Sequence, residues 1–267
     1  MSEAITDRDV VRVLRPFVRA TSPVLDALRE ADFLGLRGRS AGEELPEDAD
    51  RRTVDRLLDR LARMRVPGTA AWAVMDIGQR TDWWVNRVGR VTALLAAVPG
   101  IGGALADRLP IQDALGAAGQ GLVLCAVAGE YGVDEAERVR LLAAVLFQRD
   151  ITPELAVRPA AGSSRDEDDR RTAELAGELT ESRRRHGRVT LRAVARTVWR
   201  LGRALWSLED ELGRRPQGRL HHQVLGALPG VGMIGDYLGE RSALRRAARQ
   251  GVAWITARPP TAGRTAG

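Results

Sequence analysis

The chain is predicted to be all-α, in two helical halves joined by a flexible acidic linker. Strand signals are weak, because β-branched alternation is short and aromatics are scarce. Helical periodicity recurs with legible caps. Two matching turns, Val98-Pro99-Gly100-Ile101-Gly102 and Leu228-Pro229-Gly230-Val231-Gly232, each lead at the same interval to a Gln-Gly pair, Gln120-Gly121 and Gln250-Gly251. Each half is therefore expected to hold one Pro-Gly, small-residue helical hairpin.

The first segment, 1–66, opens with Thr6 and Asp9. This is a variant capping box with Asp in place of the usual Glu, starting a helix through Arg19. Ser22-Pro23 reads as a cap and a first-turn proline for a second helix to about Phe33. A polar loop, Gly35 to Asp50, leads to a helix over Arg51–Arg65, and Pro67-Gly68 ends the unit. In the second segment, 67–152, the run Thr69–Val98 reads as one long helix. Its apolar face is Trp72, Met75, Trp84, Val88, Val91 and Leu95, while Asp76, Arg80, Arg87 and Arg90 fall elsewhere. Trp72, Trp83 and Trp84 suit a core or a bilayer interface. Asp134 is expected to cap a helix over Glu135–Gln148, with acids in its first turn as the macrodipole favours.

Pro153, Pro159 and the acidic run Arg165-Asp166-Glu167-Asp168-Asp169 predict a flexible linker over 153–170. The second half, 171–258, begins with a helix from about Arg171 to Arg185. The cleanest pattern in the chain follows: Leu191, Val194, Val198, Leu201, Leu205, Leu208 and Leu212 alternate steps of three and four. Gly213 and Pro216 mark the stop. Arg192, Arg196, Arg200 and Arg203 lie on the outer face, with Arg188 just before it. The tail, 259–267, is expected to be disordered.

Composition bounds the function. A chain of 267 residues holds one large or two small helical domains. Its 41 basic side chains are all arginine, and the net charge of +6 admits an anionic partner, nucleic acid or lipid headgroups. Cys125, the only cysteine, sits within Leu122–Val127 and reads as a buried small hydrophobe, so no intrachain disulfide forms. Met1-Ser2-Glu3-Ala4 carries no basic n-region before an apolar run. No secretory signal is expected, and the default location is cytoplasmic.

The segment Val91–Gly132 has two apolar, small-residue arms separated by Asp107, Arg108, Pro110 and Asp113. Neither arm reaches the roughly 20 residues of a spanning helix. An interfacial hairpin and a buried helix pair both remain open, with Gly116, Gly119 and Gly121 offering a face for close contact. Pro99-Gly100-Ile101-Gly102, Ala106-Asp107 and Ala128-Gly129-Glu130-Tyr131-Gly132-Val133-Asp134 resemble the EcsC-like family, over residues 84–151. The same stretch is similar to the hairpin region of domain of unknown function 697. The resemblance implies a membrane-associated helical protein without a catalytic assignment.

The two Pro-Gly turns also look like helix-hairpin-helix DNA-binding turns, whose backbone N–H groups hold a phosphate. Here, however, Gly103-Ala104-Leu105-Ala106 and Met233-Ile234-Gly235 follow where basic or polar residues are usual. No P-loop, Gly-x-Ser-x-Gly, His-Glu-x-x-His or Rossmann glycine pattern occurs. His186, His221 and His222 have no metal-ligand spacing around them. No catalytic residue, cofactor or metal is expected.

The expected function is a non-enzymatic membrane-associated protein on the cytoplasmic face. It would be peripheral or hairpin-inserted, using Pro99, Gly100, Gly102, Pro229, Gly230 and Gly232 at the turns. Arg188, Arg192, Arg196, Arg200 and Arg203 would hold anionic headgroups. The alternatives are a soluble nucleic-acid-binding module and a soluble helical scaffold. Helix-mediated self-association through the heptad seam is a further partner class.

Overall fold

A computed structural model describes residues 5–29, 70–96, 111–157, 165–187, 189–213 and 233–258, which are helices and short connections, with no strand among them. The helices are α1 (Asp7–Arg29), α2 (Ala70–Ala73), α3 (Ile77–Ala96), α4 (Ile111–Glu130) and α5 (Glu135–Phe147). They continue with α6 (Pro153–Val157), α7 (Arg165–His186), α8 (Leu191–Gly213) and α9 (Met233–Ala257). The expected helix over 51–65, both Pro-Gly turns, Arg188, Pro216 and the tail 259–267 lie outside the described residues.

The predicted cap of α1 forms. Asp9 accepts from the Thr6 N–H at 2.9 Å and from its hydroxyl at 2.7 Å, while the Asp9 N–H reaches Thr6 Oγ1 at 3.4 Å. These hydrogen bonds, and after them the Arg12 charge, hold the Asp9 carboxyl below its ordinary pKa. The helix then runs on through Pro16 and Pro23 instead of dividing near Thr21. Each proline deprives a carbonyl one turn back of its donor. Tertiary burial outweighs that loss: Val10, Leu14, Phe17, Thr21, Val24 and Leu28, at alternating steps of four and three, are all 0% exposed.

The long helix expected over Thr69–Val98 is interrupted. Asp76 Oδ1 accepts from the Gln79 N–H at 2.8 Å, and Gln79 Oε1 accepts from the Asp76 N–H at 3.3 Å. This reciprocal capping box starts α3 afresh. The expected apolar face is buried on both sides of the break, from Trp72 and Met75 to Val91 and Leu95.

Helix α4 is the centre of the bundle. It packs against α3, α8 and α9, with α1 and α5 also in contact. Every residue from Leu122 to Ala128 is 0% exposed. An all-round apolar helix in water needs such a jacket. Small residues let the jacket close in. A Cβ on Gly202 of α8 would fall within the van der Waals shell of the Ala114 carbonyl oxygen. One on Gly121 would come 2.5 Å from Phe17 Cζ, and one on Gly251 would come 2.7 Å from Leu124 Cδ2.

Helix α5 follows the sequence closely. Asp134 caps it through the Glu137 N–H at 2.8 Å, and Gln148 ends it at φ 52°. The flexible linker expected over 153–170 is corrected at both ends: residues 153–157 and 165–170 are helical. Asp166, Glu167 and Asp168 occupy the first turn of α7, where the helix dipole favours acids. Asp168 is buried and lies 3.3 Å from Arg15 of α1, and Asp169 lies 2.6 Å from Arg19. Two acids of the run read as a flexible linker thus dock α7 on α1.

The heptad seam of α8 is buried at Val194, Val198, Leu201, Leu205 and Leu208. One hydrophobic cluster takes residues from α1 and from α3 through α9, so chain segments on both sides of 158–164 share a single core.

Candidate anion-binding groove

Helices α7 and α8 form an antiparallel pair whose turn is tied at its base. Gly187 adopts φ 65°, a left-handed conformation that a side chain would strain. The Thr190 N–H donates to Ser182 Oγ at 2.9 Å, and Thr190 Oγ1 in turn accepts from the Ala193 N–H at 3.3 Å, capping α8. With the seam of α8 turned into the bundle, the residues at 192, 196, 200 and 203 stand on the opposite edge. All four arginines there are exposed.

The two helices enclose an open trench of about 1060 Å³, lined by five arginines and three glutamates. Arg196 Nη1 reaches Glu178 Oε2 at 3.1 Å and Oε1 at 3.3 Å. Arg200 Nη2 donates to the same Oε1 at 2.9 Å, and its Nη1 donates to the Glu174 carbonyl at 3.0 Å. Two guanidiniums thus converge on one carboxylate oxygen. Glu181, nearer the turn, accepts from Arg184 Nε and Nη2 at 2.9 Å and pairs with Arg185. Hydrogen bonding from Arg184 holds the Glu181 carboxyl below its ordinary pKa, with Arg185 adding to it. Arg192 and Arg203, at the two ends of the row, have no ion pair among the described residues.

Of the residues that sequence assigned to anion contact, the structure brings Arg192, Arg196, Arg200 and Arg203 together. Arg188 and the turn residues Pro99, Gly100, Gly102, Pro229, Gly230 and Gly232 lie outside the described residues. Sequence reading missed Glu178 and Glu181. The Glu181–Arg184–Arg185 spacing was visible as an i,i+3/i+4 set. The reach of Glu178 across to α8 depends on helix pairing and left no local signal.

Trp72, Trp84 and Trp199 are buried, and Trp83 packs against the core. Trp84 is 0% exposed, and its Nε1 donates to Glu130 Oε1 at 3.0 Å. Trp83 meets Trp72 and Trp84 edge-on, with ring centroids 5.1 and 4.9 Å away. Arg29, Arg80 and Arg87 stack over Trp84, Trp72 and Trp83. Cys125 is fully buried, and burial pushes its thiol up to about 11. Among the described residues no group of three or more His, Cys, Asp or Glu is placed to hold a metal ion. No family model, no curated protein and no solved structure matches the chain.

Proposed function

We propose that this chain is a non-enzymatic helical protein that docks on anionic lipid headgroups at the cytoplasmic face through the arginine row of α8. One observation carries the reading: the apolar seam of α8 is consumed by the bundle, while Arg192, Arg196, Arg200 and Arg203 stand together on its exposed edge. Docking is then electrostatic, with guanidiniums on phosphate oxygens. It is peripheral rather than inserted. The side chains from Leu122 to Ala128, the apolar part of the supposed hairpin, already fill the core. No helix among the described residues is long and apolar enough to cross a membrane. The EcsC-like resemblance over 84–151 belongs to this proposal, with the α3–α4 pair serving as scaffold for the docking face.

Vesicle co-sedimentation tests it. The protein should bind phosphatidylglycerol/phosphatidylcholine vesicles at low salt, leave them as salt rises, and ignore phosphatidylcholine alone. Arg192→Glu with Arg203→Glu should weaken binding at least ~10-fold, since each basic residue near a charged surface contributes about 1 kcal/mol. Equal binding to neutral vesicles would overturn the reading. Binding of duplex DNA with the same arginine dependence, and no vesicle binding, would establish the nucleic-acid alternative in its place.

A further inference from the structure

We propose that Arg196 and Arg200 form the phosphate seat of the α7–α8 groove, and that the Glu178 carboxylate is its resident internal occupant, displaced when phosphate binds. The inference rests on the docking reading above and gives that surface a specific centre. Two guanidiniums one turn apart ordinarily repel and splay into water. Here they converge, and Glu178 Oε1 accepts from both, at 3.3 Å from Arg196 Nη1 and 2.9 Å from Arg200 Nη2. That oxygen marks where a phosphate oxygen sits. The Glu174 carbonyl accepts from Arg200 Nη1 and fixes its plane, so the remaining donors keep their aim when the carboxylate leaves.

The occupant is exchangeable. Arg196, Arg200 and Glu178 keep 44%, 42% and 25% of their side-chain surface in solvent, so their ion pairs hold weakly. A phosphate brings more acceptor oxygens than the carboxylate it replaces, and Arg192 and Arg203, which have no ion pair among the described residues, line the same groove on either side of the seat. Glu178 therefore lowers the affinity of the groove for any phosphate-bearing ligand, and its removal increases that affinity.

The test compares two substitutions of equal charge in the same groove. Glu178→Gln removes the carboxylate charge from the seat and leaves a weaker, neutral acceptor. Glu174→Gln removes an exposed carboxylate while keeping the backbone carbonyl that holds Arg200. On phosphatidylglycerol/phosphatidylcholine vesicles at fixed salt, Glu178→Gln should bind about fivefold tighter than wild type and show a steeper salt dependence. Glu174→Gln should gain clearly less, with helicity by circular dichroism unchanged in both. Adding Arg196→Gln and Arg200→Gln to Glu178→Gln should abolish the gain.

Equal gains from the two glutamate variants would overturn the seat and leave general docking intact. If vesicles are ignored, titration calorimetry with inorganic phosphate separates the two ideas. Phosphate binding that tightens in Glu178→Gln keeps the seat and removes the lipid. No binding of either probe by wild type or Glu178→Gln overturns both.

Discussion

Helices α4 and α8 cross at Ala114 and Gly202 and solve opposite problems. From Leu122 to Ala128, helix α4 is buried around its whole circumference and offers no face to water. It is stable only because α3, α8 and α9 surround it. Helix α8 divides sharply: its heptad seam supplies part of that jacket, and its other edge carries four exposed arginines. The more hydrophobic segment is thus the less available one. Surface chemistry belongs to the helix with a clean stripe. Continuous apolar character over a stretch shorter than a membrane span reads as the middle of a bundle once enough amphipathic partners exist to cover it.

The largest way to break this comparison is at the crossing itself. Gly202→Ala should cost about 3 kcal/mol or more, because the new methyl meets the backbone carbonyl of Ala114 rather than a yielding side chain. Chemical denaturation followed by circular dichroism reads it. A variant as stable as wild type would mean that α4 and α8 have room to separate.

The next effect probes how the jacket is closed on its outer side by α7. Asp168→Ala leaves Arg15, whose side chain is only 14% exposed, without its partner and should cost about 3 kcal/mol. Arg15→Met in the same background should recover much of the loss. No recovery would mean that the acid matters for capping α7 rather than for neutralising Arg15.

The smallest effect has the opposite sign. Gly116 lies on α4, yet an added Cβ there meets nothing within 4 Å. Gly116→Ala should stabilise the protein by about 0.5–1 kcal/mol through helix propensity. A loss of thermal stability would show that this part of the glycine face is used for close contact, as Gly121 is.

Local features were legible wherever a short-range interaction decides them. The Thr6–Asp9 cap, the Asp134 cap and the α8 seam follow from neighbouring side chains and from period alone. The same kind of signal, Asp76 with Gln79, was present at the break before α3 but was hidden inside an apolar pattern that continued across it. The prolines of α1 misled for the reverse reason. Their cost is local and visible, whereas the burial that outweighs it comes from partners distant in sequence. In the groove the arginine row was readable from its spacing along one helix. Glu178 was not, because a residue on a second helix becomes its neighbour only after α7 and α8 pair.

By itself, then, the sequence determined that this protein is helical, where several helices begin and end, which stripe of α8 is apolar, and which arginines share its outer edge. These are properties of one helix at a time, governed by caps and a period of 3.6 residues. Tertiary structure decided that Leu122 to Ala128 of α4 fill the core, that the acidic run after residue 164 docks on Arg15 and Arg19, and that Glu178 sits between Arg196 and Arg200. Each of these depends on which surfaces meet, and burial is a property of the assembled bundle rather than of any segment within it.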